Sequence, residues 1–175
     1  VNVPPEDRHG SVFEFGSFDI DGTSIAFHFH LKSESREWQF TELLDFPVAL
    51  DARRVEGLAR LYHLASGLSY YKVLPAESIT TGYPLRDYEL GLLTALIGEG
   101  LAEFAYVNDA PWALTPSYDV VVTDQPAPHP EPSYGAPLVP IGGGKDSALS
   151  LDLLQKAGLR PVGFSVGHHP SITAT

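Results

Sequence analysis

Six consecutive residues, Gly142-Gly143-Gly144-Lys145-Asp146-Ser147, collect the types that anion chemistry needs: positions without side chains, a cation, a carboxylate and a hydroxyl. Glycines let the backbone approach a bulky anion without Cβ interference, and a helix beginning behind them presents unpaired N–H groups and a partial positive charge. Phosphate is the natural guest. A Walker A loop needs a glycine five positions before Gly144, where Val139 stands, and a Ser or Thr directly after Lys145, where Asp146 stands. The run is therefore not a Walker A loop, and three adjacent glycines also fail the G-x-G-x-x-G dinucleotide spacing. The plain alternative is a strand-to-helix turn in which Asp146 or Ser147 only caps the helix.

Other residues have types suited to chemistry but weaker settings. His168 and His169 follow an expected strand at its carboxyl end, where open α/β sheets bind ligands, so they are candidates to touch a nucleotide or to act as acid or base. His28 and His30 lie two residues apart on one face of an expected strand and could chelate a metal, although no third ligand is in sequence reach. Tyr70, Tyr71 and Lys72 stand together where a lysine can meet a carboxylate or phosphate, with an ordinary surface lysine as the alternative. Glu103 and Asn108 interrupt an apolar run and mark either a pocket or an inconsequential edge.

The elements that must position these residues follow from periodicity. Leu138 to Ile141 reads as a strand, the glycines as a loop, and Ala148, Leu149, Leu151, Leu153, Leu154 and Ala157 as a helix ending at Gly158. Leu159 to Val166 then gives a second strand, and the strand–helix–strand order implies right-handed parallel pairing. Earlier, residues 12–31 alternate in two runs joined at Asp21-Gly22, a β-hairpin with an expected type I′ turn. Phe13, Phe15, Ile25, Phe27 and Phe29 supply its apolar face. A third strand is expected over residues 37–46, and a helix over 53–66 with Val55, Leu58, Ala59, Tyr62 and Ala65 inward and Gly67 as its stop. Residues 85–99 form a second helix ended by Gly98 and Gly100, and Tyr118 to Thr123 a closing strand.

The prolines at 126, 128, 130, 132 and 137 bar residues 124–137 from a central helix or sheet. The expected organisation is an α+β N-terminal domain over 1–123, a linker over 124–137, and the start of an α/β domain over 138–175. Only 38 residues follow that linker, against the ~100 to 200 of an ordinary domain, so the chain is expected to be a fragment. A start at Val1 and the absence of methionine agree with that expectation.

A formal charge of -11 argues against a nucleic-acid backbone as main partner, because phosphate recognition along a duplex needs a basic face. No cysteine is present, which excludes a disulfide framework, a thiolate nucleophile and a cysteine metal site. No apolar run is judged to approach the ~20 residues of a membrane span and no basic-then-apolar leader is seen, so no membrane partner is expected and a cytoplasmic location is the default.

The loop resembles the SGGxDS loop of the PP-loop ATP pyrophosphatase family, with Gly142 in place of the first serine and one hydroxyl ligand therefore missing. Three blocks in order, LYHLASGLSYYKVLP at 61–75, GLAEFAYVN at 100–108 and LVPIGGGKDSALSLDLL at 138–154, resemble the bacterial UDP-N-acetyl-α-D-muramoyl-L-alanyl-L-glutamate epimerase (MurL) family. That resemblance implies ATP- and Mg²⁺-dependent inversion of the terminal L-glutamate of a UDP-N-acetylmuramoyl dipeptide through an acyl-adenylate. It further implies a PP-loop domain with a parallel sheet that continues past Thr175, and a pathway partner that ligates L-glutamate to UDP-N-acetylmuramoyl-L-alanine. On the same resemblance Gly142, Gly143 and Gly144 hold pyrophosphate, Lys145 and Ser147 add a cation and a hydroxyl, and Asp146 holds Mg²⁺. Two other readings stay open: a PP-loop ligase or amidotransferase-like enzyme, and a nucleotide-binding module without chemistry.

Overall fold

A computed structural model describes residues 8–124 and 135–165, and the chain divides into two compact units, Val1–Pro128 and His129–Thr175. The first unit is α+β. Its strands β1 (Val12–Asp21), β2 (Ser24–Lys32) and β3 (Glu37–Asp45) form an antiparallel meander. Helix α1 (Ala52–Tyr71) then leads to β4 (Ser78–Thr81), which returns parallel to β1. After β5 (Leu85–Arg86), α2 (Asp87–Gly98), α3 (Ala102–Val107) and a 3-10 turn, β6 (Ser117–Asp119) lies parallel to β4. The resulting mixed sheet has the order β3-β2-β1-β4-β6, while β5 pairs separately with β7 (Val122–Thr123).

Period-2 alternation decides which face of the sheet is covered. Phe13 and Phe15 of β1 pair with Leu31 and Phe29 of β2, and all four side chains are fully buried. The partners on the other face, Glu14 with His30 and Val12 with Lys32, stay partly or fully exposed. Removing four such side chains from water stabilises the unit by roughly 1.5–3 kcal/mol each. Ala59 and Leu64 of α1 and Leu93 and Ile97 of α2 complete the same core.

Five expectations need correction here. The hairpin turn is Gly22-Thr23, flanked by the Asp21–Ser24 pair, and only Gly22 has positive φ (57°), which is the II′ pattern rather than I′. Gly67 does not stop α1, which runs on to Tyr71; a Cβ at Gly67 would stand 2.2 Å from Phe15 Cε1, so the glycine permits close helix-to-sheet packing. The inward stripe of α1 is Ala59, Arg60, His63, Leu64, Gly67 and Tyr71, whereas Leu58 is 69% exposed. The expected closing strand is divided between β6 and β7, which belong to different sheets. The second helix also begins two residues later than expected, at Asp87, because Leu85 and Arg86 pair with β7.

By length and composition the segment Asp87–Val107 is apolar enough to cross a membrane (mean hydropathy 1.4), against the expectation of no such run. In the structure it is broken between α2 and α3, and Leu93, Ile97, Leu101 and Ala105 are buried.

The described part of the second unit is a strand–helix–strand: β8 (Leu138–Pro140), α4 (Lys145–Lys156) and β9 (Val162–Phe164), with β8 and β9 parallel. Helix α4 ends in a Schellman arrangement, Gly158 at φ 77° with Gly158 N bonded to Gln155 O and Leu159 N to Leu154 O. No residue of α4 is buried among the described residues, and Leu149 and Leu153 are more than half exposed.

Candidate functional site

The glycine run forms the turn between β8 and α4. Gly143 adopts φ 77°, a left-handed conformation that side chains resist, and so permits the turn into the helix. Gly144 is the N-cap residue and has no side chain to bond back to the first helical amides. The first turn of α4 therefore keeps N–H groups for a guest. The Gly142 N–H is already used, donating to Ser147 Oγ across 3.0 Å. Lys145 and Asp146 are exposed, and neither side chain has an ion-pair or hydrogen-bond partner among the described residues. This arrangement of amides, one cation and one hydroxyl suits a phosphate group.

Asp146 is the carboxylate of the loop that could hold a divalent cation. Mg²⁺ is commonly bound through one or two carboxylates plus substrate phosphates, which a lone exposed Asp146 fits. Among the described residues no group of three or more His, Cys, Asp or Glu side chains could hold a metal. His28 and His30 are accordingly not ligands of such a cluster: His28 contacts Asp19 at 3.2 Å and Thr41 at 3.1 Å, and His30 contacts Glu14 at 3.3 Å.

The remaining candidates are not brought together. Tyr71 is buried, and its hydroxyl donates to Ala113 O at 3.1 Å, so it is a core residue; burial raises its pKa. Tyr70 stacks on Phe29 and Phe40 with ring centroids 4.8 and 4.9 Å away. Lys72 caps the end of α1. Residues 102–107 are helical, which leaves Glu103 exposed and makes Asn108 a cap whose Nδ2 donates to Phe104 O at 2.8 Å. His168 and His169 lie outside the described residues.

Periodicity overlooked a buried polar cluster in the first unit. His63 Nε2 bonds the His28 carbonyl at 3.1 Å, which requires a proton on that nitrogen and leaves Nδ1 to accept from the Tyr83 hydroxyl at 3.0 Å. Burial pushes the His63 pKa down to about 4 and also raises that of Tyr83. Nearby, Arg60 Nε and Nη2 grip the two oxygens of Glu89 at 2.7 and 2.6 Å, and the Arg86 backbone N–H adds a third donor at 2.8 Å. Burial alone would raise the Glu89 pKa, but the bonds from Arg60 and Arg86 outweigh it and hold it low; the Glu89 bond holds Arg60 high. The Arg60 guanidinium also lies 4.5 Å from the Tyr83 ring centroid. Both ring nitrogens of His63 and both oxygens of Glu89 are engaged, so the cluster fastens α1 to the sheet and to α2. Its trace in the sequence is the three-residue spacing of Arg60 and His63, which puts both on one face of α1.

Comparison with known proteins places this geometry in a wider setting. The family model described as the MurL N-terminal domain matches residues 5–175. The chain is 35% identical over 95% of its length to the UDP-N-acetyl-alpha-D-muramoyl-L-alanyl-L-glutamate epimerase of a Micromonospora species. It is 34% identical over 90% of its length to the protein of the same name from Salinispora tropica. A Xanthomonas oryzae protein of that name is 32% identical over 62% of the chain. The chain spans 39% and 36% of the length of the first two relatives. No solved structure matches the chain.

Proposed function

The chain belongs to the MurL N-terminal domain family, and from that membership we propose that it takes part in epimerising the terminal L-glutamate of UDP-N-acetylmuramoyl-L-alanyl-L-glutamate. The observation that carries the reading is the shared name of relatives that cover nearly the whole chain. Its reagents are ATP and Mg²⁺, and the glycine loop is the place for the β- and γ-phosphates. Support for that role comes from the left-handed Gly143, the uncapped start of α4 and the resemblance to the PP-loop motif.

The chemistry explains why an inverting enzyme would carry an ATP loop. Removing the α-proton next to a free carboxylate puts a second negative charge on the same group. When the α-carboxylate oxygen attacks the α-phosphorus of ATP, pyrophosphate leaves and the acyl-adenylate can delocalise the carbanion; a proton returned to the opposite face of Cα inverts it, and water attacking the acyl carbon then restores the carboxylate and releases AMP. The loop amides and Lys145 balance the charge that develops on the departing pyrophosphate. Mg²⁺ held by Asp146 would neutralise phosphate oxygens. A peptidoglycan precursor as substrate goes with a cytoplasmic location and with a ligase that supplies the L-glutamyl dipeptide.

The test uses the full-length protein in D₂O with the dipeptide substrate. Deuterium is expected at Cα of the terminal glutamate only when ATP and Mg²⁺ are present, and ¹⁸O from the labelled α-carboxylate is expected in AMP. A ligase would leave Cα untouched, and a binding module would release no AMP. Inversion without solvent deuterium, or exchange without ATP, overturns the mechanism.

A further inference from the structure

The two edges of the five-stranded sheet are unlike. β6 offers three residues, the short form in which edges are kept from pairing, whereas β3 offers nine in an unbroken register, with no proline, lysine or bulge. Ser33 N donates to Arg36 O and Phe46 N to Thr23 O, so the even-numbered residues of β3 bond to β2. The backbone groups of Glu37, Gln39, Thr41, Leu43 and Asp45 therefore point to the open side, where no described residue bonds them. Apolar surface adjoins this edge: Trp38, Phe40 and Leu44 are only partly buried, and Leu58 of α1 is 69% exposed. Tyr62, one turn after Leu58, donates to Glu42 of β3 at 2.6 Å, which puts that flank of α1 on the β3 side.

The pattern along this edge is its own complement. Arg36, directly before β3, and Glu42 stand at equal spacing on either side of Gln39, and Trp38 and Phe40 flank it more closely on the same face. The Arg36 backbone closes the turn with Ser33, but its guanidinium has no partner among the described residues, and no cation there pairs with Glu42. We propose that β3 pairs antiparallel with β3 of a second copy about Gln39, which sets Arg36 opposite Glu42 and Trp38 opposite Phe40, twice each. Opposite charges and aromatic side chains at facing positions stabilise antiparallel strands. Centred on Thr41, the same pairing would set Glu37 against Asp45, two like charges. The inference stands apart from the reading of the glycine loop, which lies in the other unit.

Sedimentation velocity of the full-length protein over a concentration series tests it. Wild type should show a monomer–dimer equilibrium with a Kd of about 1–100 µM, the scale of a small interface. Gln39→Pro removes an outward N–H and no bond to β2, so it should leave the far-UV circular dichroism unchanged and raise Kd at least about tenfold. Arg36→Glu and Glu42→Arg should each weaken the dimer by a similar factor, since like charges then face each other. An equimolar mixture of those two variants should dimerise as wild type does, because both facing pairs again join opposite charges. In the dimer the amides of Glu37, Gln39 and Thr41 should exchange more slowly, while those of Trp38 and Phe40, already bonded to β2, keep their rates. A wild type that is monomeric at about 1 mM, a dimer indifferent to Gln39→Pro, or a mixture of the charge variants that stays monomeric overturns the proposal.

Discussion

His63 is held neutral inside the first unit, with both ring nitrogens bonded and its pKa near 4. On acidification the unfolded chain takes up the proton first, since its histidine titrates near 6.5. The contribution of His63 to stability is therefore complete above about pH 6.5 and is lost as the pH falls toward 4, by about 3 kcal/mol in all. Urea unfolding at pH 7.5 and pH 4.5 should reveal this loss, and His63→Gln should show a flatter dependence over the same window. Glu89 has a lowered pKa, so its contribution persists above its unfolded value and disappears only at still lower pH. Glu89→Ala leaves Arg60 buried without its partner and should cost roughly 3–5 kcal/mol at neutral pH. The double change Arg60→Met with Glu89→Leu should recover most of that loss in the same urea measurement, because an apolar pair replaces two desolvated charges.

At the scale of elements, Gly67 inside α1 and Gly91 inside α2 should respond to alanine with opposite sign. Helix propensity alone favours alanine by about 1 kcal/mol at either position. At Gly91 a Cβ meets nothing within 4 Å, so Gly91→Ala should stabilise by roughly 0.5–1 kcal/mol. At Gly67 the added atom meets Phe15 and Phe29 ring carbons at 2.2 to 2.9 Å, and both rings are fully buried. Overpacking of this kind costs about 1–3 kcal/mol and outweighs the propensity gain. Thermal unfolding of the two variants beside wild type decides it; a higher melting temperature for Gly67→Ala would contradict the close contact of α1 with the sheet.

At the scale of the whole molecule, the two units differ in how much apolar surface they remove from water. The first contains a continuous core from Phe13 to Leu101, whereas α4 in the second has no buried residue among those described. Local opening is easiest where few buried contacts resist it. In the 175-residue chain, amides of α4 should therefore exchange at least about tenfold faster than those of α1 between Ala59 and Gly67, which a native-state hydrogen-exchange time course measures. Equal protection in the two helices would show that α4 is covered by more than the described residues provide.

Local pattern was enough to read the hairpin, the third strand, the two long helices of the first unit and the strand–loop–helix–strand of the second. Period-2 and period-3.6 burial and the turn residues are properties of neighbours in the chain. The glycine loop was legible for the same reason, since its residues are adjacent. Tertiary structure alone decided what depends on distant partners. Gly67 reads as a helix stop until Phe15 of β1 occupies the space beside it. Arg60 and His63 carry no signal of burial in the local pattern, because the groups that bond them, Glu89 and the His28 carbonyl, lie 29 and 35 residues away. Residues 102–107 and 118–123 carry too short an apolar signal to settle their own state, and their packing made the first a helix and divided the second between two sheets. Sequence determined the elements because their signals are local, and the fold decided which polar groups lie inside because each needed a partner from another element.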